Sequence, residues 1–163
     1  MTLESVYFFT QIVAAFAVIG SLLYVGTQLR QNTMALQATA RAAAFDGDMS
    51  LTQMMVVNPN LISLLTKDDM SQDDKSQLYM LLVAFVRLRE RDWLQYRAGV
   101  LDERTWKTYE GSIIGMFQYV NSRKWWDHMA ATGFFDSEFK EQIADLLKDI
   151  PAWGEVGTLA AFD

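Results

Sequence analysis

Ser5-Val-Tyr-Phe-Phe-Thr-Gln-Ile-Val-Ala-Ala-Phe-Ala-Val-Ile-Gly-Ser-Leu-Leu-Tyr-Val-Gly-Thr-Gln-Leu29 decides the fold, because the 25 residues between Glu4 and Arg30 carry no charge. At a rise of 1.5 Å per residue, about 20 residues of α-helix cross a hydrocarbon core about 30 Å thick, so the stretch is long enough to span a bilayer with room for tilt. Tyr7 and Tyr24 stand near its two ends, where amphipathic rings favour the headgroup level. Gln11 and Ser21 fall inside it. A lipid-facing Gln is costly, so Gln11, Ala17 and Ser21 mark the expected helix-packing face. A cleaved signal peptide fits less well: Met-Thr-Leu-Glu holds no basic side chain, and the helical pattern runs on past Arg30. The competing reading is a core helix of a soluble bundle, kept open by the polar interruptions Thr10, Gln11 and Ser21. Arg30 and Arg41 follow the span while only the terminal amine precedes it, which biases the body of the chain to the cytoplasmic side.

Beyond Arg30, the run from Gln31 to Phe45 is rich in Ala and free of Gly and Pro, so it is expected to extend the same helix into solvent. Asp46-Gly47-Asp48 is then expected to interrupt it, with a short helix following from Leu51 to Val57. Asn58-Pro59 reads as an N-cap and first helical residue, opening a short helix with Leu61, Ile62, Leu64 and Leu65. Ser71 with Asp73 and Asp74 behind it predicts the start of a helix that runs to about Arg97, its apolar stripe formed by Leu78, Leu81, Leu82, Phe85, Leu88 and Tyr96. Gly99 ends that helix and Asp102 caps the next, in which Trp106, Tyr109, Ile113, Phe117 and Val120 recur at three or four residues. A break at Asn121-Ser122 is expected to let the chain fold back into a shorter piece carrying Trp125 and Trp126. Gly133 breaks that piece, Asp136 or Ser137 caps a last helix with Phe139, Ile143, Leu146 and Leu147 on one side, and Pro151 stops it. No β alternation of useful length occurs. The predicted fold class is all-α: an N-terminal transmembrane helix continuing into a small helical bundle, with an anchor at 1–30, a helical domain at 31–150 and a tail at 151–163.

Composition narrows the function classes. The apolar fraction of 51% and the aromatic fraction of 13% are high for a soluble chain of 163 residues, so some surface faces lipid or a partner. Fourteen Lys and Arg against 20 Asp and Glu give a net charge of −6, which argues against nucleic acid as a partner. With no Cys there is no disulfide framework, thiolate metal site or thiol nucleophile.

Candidate chemistry is sparse. His128 is the single histidine, beside Asp127, and a catalytic role would need a nucleophile or substrate site within hydrogen-bond reach that the sequence does not supply. No Glu-x-x-His pairing supports a metal site, so catalytic, cofactor and metal residues are expected to be absent. The densest charge cluster holds Arg87, Arg89, Arg91 and Arg97 with Glu90 and Asp92. These arginines could contact an anion or lipid headgroup, but the interleaved carboxylates favour an internal network. Trp93, Trp106, Trp125, Trp126 and Trp153 could line a ligand pocket, yet their helical spacing favours core, with one or two at an interface.

Three stretches carry a resemblance: Leu29-Arg30-Gln31-Asn32-Thr33 at the end of the span, Tyr96-Arg97-Ala98-Gly99-Val100-Leu101-Asp102-Glu103-Arg104-Thr105-Trp106, and Trp125-Trp126 followed by Phe135-Asp136-Ser137-Glu138-Phe139. With them the chain resembles, over nearly its whole length, a bacterial family of small membrane-anchored helical proteins to which no activity is attached. The resemblance implies a proteobacterial, membrane-anchored helical chain and carries over no functional residue. The expected function is therefore that of a non-catalytic accessory or assembly subunit of a larger bacterial inner-membrane complex, in contact with membrane lipid and protein partners. The alternatives are a self-associating scaffold or sensor, with Ala17 and Ser21 in its helix contact, and a lipid- or anion-binding membrane protein.

Overall fold

Helix α1 (Leu3–Val57) is 55 residues long and has no break. The computed structural model describes residues 3–152, and the chain divides into two compact units, 1–39 and 40–163. Trp153 and the rest of the expected tail lie outside the described residues. Among those described, every regular element is a helix: after α1 come α2 (Asn60–Ser63), α3 (Gln72–Arg97), α4 (Glu103–Gln118), α5 (Val120–Ala130) and α6 (Ser137–Leu147).

In the first unit, residues 3–36 are all exposed, including Phe8, Phe9, Phe16, Leu22, Leu23 and Leu29. The expected single helix over Ser5–Leu29 is thus present with its whole apolar circumference uncovered, which does not fit the core-helix alternative. Its hydroxyls are satisfied by the helix itself: Thr10 donates to the Tyr7 carbonyl at 2.8 Å, Ser21 to that of Ala17 at 2.8 Å and Thr27 to that of Tyr24 at 2.7 Å. Such back-bonding is how hydroxyl groups are accommodated on a helix surrounded by apolar medium.

In the second unit, α1 buries Ala40, Ala44 and Leu51, spaced four and seven residues apart along one face with Gly47 between them. The expected interruption at Asp46-Gly47-Asp48 does not occur. Gly47 is a packing glycine instead: a Cβ there would meet Leu88 Cδ1 at 2.5 Å. Asp46 and Asp48 keep helical geometry, their carbonyls accepting the hydroxyls of Ser50 and Thr52. The Leu51–Val57 segment is therefore the end of α1 and not a separate helix.

A second correction concerns Asn58. It does not cap α2; its Nδ2 donates back to the Met54 carbonyl at 3.1 Å, closing the end of α1, and Pro59 occupies the N-cap position without a side-chain bond. Helix α2 has only four residues, with Leu61 buried and Ile62 exposed, and Leu64 and Leu65 are buried directly after it.

Helix α3 starts where Ser71 predicts, with a full capping box in which Ser71 Oγ accepts from the Asp74 N–H and Asp74 accepts from the Ser71 N–H. Gly99, at φ +70°, takes the left-handed conformation that ends the helix and donates to the Tyr96 carbonyl. Asp102 caps α4 and Asp136 caps α6, each through a bond from the backbone N–H three residues on. The break between α4 and α5 is at Tyr119, in extended conformation, two residues before the expected Asn121-Ser122. Asn121 is helical, and its amide serves another purpose: Nδ2 donates to the carbonyls of Leu64 and Lys67, tying the α2–α3 connection to α5.

The core gathers Leu61, Leu64, Leu65, Leu82, Phe85, Val86, Ile113, Phe117, Phe139 and Ile143. Trp126 is buried between Phe117 and Phe135, at ring distances of 5.3 and 5.8 Å. Trp106 is also buried, but it stacks on Tyr96 of α3, at 5.8 Å, and not on the α5 tryptophans. Trp125 is half-buried, edge-on to Tyr79 and Phe135.

Candidate functional site

Charge inside the bundle is concentrated on α3. Arg89, Glu90 and Asp92 are buried on the same helix as the apolar stripe, with Arg89 only 2% and Asp92 0% exposed. A buried ion is tolerated when it is paired and hydrogen-bonded. Arg89 is held by Asp48 of α1 and, at 3.3 Å, by Asp92 one turn on, and its guanidinium lies over the Tyr109 ring at 4.2 Å. Asp92 is shared, its other oxygen accepting from Arg91 at 2.7 Å. Burial pushes Arg89 below and Asp92 above their ordinary pKa ranges, each shift opposed by the charge of the partner. Arg91 also reaches the Ala43 carbonyl, so the network clamps the second half of α1 onto α3.

The other two arginines of the cluster serve a different joint. Arg87 donates to Glu90 at 2.6 Å and to the Phe134 carbonyl at 2.8 Å, with the Phe134 ring 4.4 Å from its guanidinium carbon. Glu90 in turn accepts from the Asp136 N–H, and Arg97 pairs with Glu138 at 2.7 Å. Together they pin the turn before α6 to α3. All four sequence-predicted arginines therefore have carboxylate partners within the bundle, in two groups, and they do not converge on one open surface. The expected internal pairing is present.

Among the described residues, two of the concave features lie between α1 and its neighbours in the second unit. One is a cleft of about 230 Å³ lined by Asp48, Thr52, Met55, Arg89, Tyr109 and Ser112 among others, where buried Arg89 Nε has no partner. The other is a shallow groove of about 440 Å³ formed by Met54 and Asn58 at the end of α1, Leu61 of α2, and Gln77, Met80, Leu81 and Ala84 of α3. The sequence reading missed both. The groove had a signal in Met54 and Met80, large apolar residues that the structure leaves exposed. The cleft was hidden by the expected break at Gly47, which removed Asp48 from any helix.

His128 and Asp127 are exposed near the end of α5, and among the described residues no group of three His, Cys, Asp or Glu stands close enough to hold a metal ion. In the first unit, Ala17 and Ser21 are joined by the Ser21 hydroxyl bond, while the Gln11 amide has no partner among the described residues. No family model, curated protein or solved structure matches the chain.

Proposed function

We propose that the chain is a non-catalytic accessory or assembly subunit of a larger membrane protein complex, anchored by the first half of α1 in a bacterial inner membrane with the helical bundle on the cytoplasmic side. The observation that carries this reading is the stretch of 25 uncharged residues whose side chains are all exposed while they form one continuous helix. Left in water, that much apolar surface would aggregate, so lipid or partner helices must cover it. An anion or headgroup role for Arg87, Arg89, Arg91 and Arg97 has less support, because each guanidinium already has a carboxylate partner.

Native-size analysis of the chain, extracted from its source membrane in mild detergent, tests the proposal. A discrete assembly containing other proteins is expected. A homo-oligomer would point to a self-associating scaffold or sensor, and a monomer with co-purified lipid to a lipid-binding protein.

A further inference from the structure

We infer that the cleft between α1, α3 and α4 binds a small uncharged molecule, apolar over most of its surface, whose carbonyl oxygen accepts a hydrogen bond from Arg89 Nε. The inference goes beyond the subunit reading above and does not depend on it.

Three helices build the cleft. Leu51 and Met55 come from α1, Phe85 and Arg89 from α3, and Tyr109 and Met116 from α4. Leu51, Phe85, Arg89 and Tyr109 are buried and the two Met half-buried, so the walls are held by the core, while exposed Thr52, Thr108 and Ser112 stand at the mouth. The volume of about 230 Å³ exceeds the roughly 150 Å³ of an apolar cavity that takes benzene, which leaves room for a ring with a short substituent.

One buried donor sets what that substituent must be. Thr52, Thr108 and Ser112 spend their hydroxyl hydrogens on carbonyls of their own helices, those of Asp48, Arg104 and Tyr109. Arg89 donates through Nη1 to Asp92 and through Nη2 to Asp48, while its buried Nε–H has no partner. In the planar guanidinium fork Nε–H and Nη2–H share one edge, so the unused N–H lies beside the contact to Asp48, which itself lines the cleft. A buried charged donor left unmatched is costly. Water answers it poorly, because Leu51, Met55, Phe85 and Met116 offer water no hydrogen bonds. An oxygen carried on an apolar body satisfies the donor and the walls together, the usual composition of a small-molecule site.

Charge selects against ions. Arg89 and Arg91 are balanced by Asp48 and Asp92, so the network is neutral as it stands. An incoming anion would meet Asp48 in the same cleft, and a cation would meet Arg89.

The test uses the full chain in phosphatidylcholine nanodiscs, labelled with ¹³C at the Met methyls, and three probes at matched free concentration: acetophenone, ethylbenzene and benzoate. Acetophenone is expected to shift the Met55 and Met116 methyl resonances saturably. Ethylbenzene, which keeps the shape without the oxygen, and benzoate, which adds a charge, should each bind about tenfold or more weakly. Ser112→Trp, at an exposed position on the mouth, should abolish the acetophenone response. Arg89→Lys keeps a cation between Asp48 and Asp92 but removes Nε–H, and should bring acetophenone down to the affinity of ethylbenzene. If that buried substitution does not fold, the three probes and Ser112→Trp still decide the matter. Ethylbenzene binding as tightly as acetophenone would reduce the cleft to an apolar hole, and tighter benzoate would make it an anion site; either overturns the inference. So does the absence of a saturable shift with acetophenone, or an unchanged response in Ser112→Trp.

Discussion

Gly47 is where the backbone of α1 comes closest to α3, and the physics at that position is a balance of two small terms. Glycine inside a helix costs about 1 kcal/mol relative to Ala, so the position is unfavourable in isolation. A Cβ would approach Leu88 Cδ1 at 2.5 Å and Arg91 Nη2 at 3.2 Å, but both are the ends of flexible side chains, not backbone. Gly47→Ala is therefore expected to change stability by less than about 1 kcal/mol, because the gain in helix propensity offsets the displacement of Leu88. Gly47→Leu has no such escape: the larger side chain must push α1 off α3, lengthening the Asp48–Arg89 and Arg91–Ala43 contacts, and should cost about 1 to 3 kcal/mol. Denaturant midpoints of the two variants decide it. A Leu variant as stable as the Ala variant would mean that α1 is not held against α3 at this point.

At the level of elements, what was legible depended on whether the signal was local. Ser71, Gly99, Asp102 and Asp136 act through bonds to their own helix ends, and each stands where the sequence places it. Asp46-Gly47-Asp48 misled because a Gly between two Asp reads as a breaker locally, while its reason for being Gly lies on another helix 41 residues away. Asn58 misled likewise, since an Asn before Pro has the right chemistry for an N-cap but here serves the helix it follows. The local pairs of Arg87 with Glu90 and of Arg89 and Arg91 with Asp92 were legible in the interleaved charges, whereas the contacts to Asp48, Glu138 and the Phe134 carbonyl, distant in sequence, were not. The α3 cap carries a pH prediction. A hydrogen bond from Lys67, then those from the Ser71 backbone and hydroxyl, hold the Asp74 carboxyl at about 2 against an ordinary 3.8. A carboxyl depressed in the folded state contributes stability that is complete above the unfolded value and lost as pH falls through the folded one. That contribution should therefore fade between about pH 4 and pH 2. In Asp74→Asn the stability should vary less steeply over that window than in the parent chain, as read from urea midpoints at successive pH values. An identical slope would show that other carboxyls govern acid unfolding.

The whole molecule joins an uncharged helical segment, exposed along its length, to a bundle that has an ordinary core. The absence of Cys makes the placement of both directly measurable, since a thiol introduced at one position is the only one in the chain. If the first part of α1 spans the bilayer, the chain stays in the membrane pellet after an alkaline carbonate wash. Val18→Arg with Leu22→Arg should release it. Each arginine at the centre of a spanning helix costs about 2.5 to 3.5 kcal/mol, and the pair therefore shifts partitioning by several powers of ten. The flanking charges predict the orientation: on the proposed reading Arg30 and Arg41 face the cytoplasm, and the bundle is expected there with them. Ser76→Cys puts a thiol on the exposed face of α3. A membrane-impermeant maleimide added to intact spheroplasts should leave it unlabelled, and the same reagent should label it once the membrane is opened. Labelling before opening would put the bundle on the outer side. Release of the parent chain by carbonate alone would mean that the exposed apolar helix is covered by protein and not by lipid.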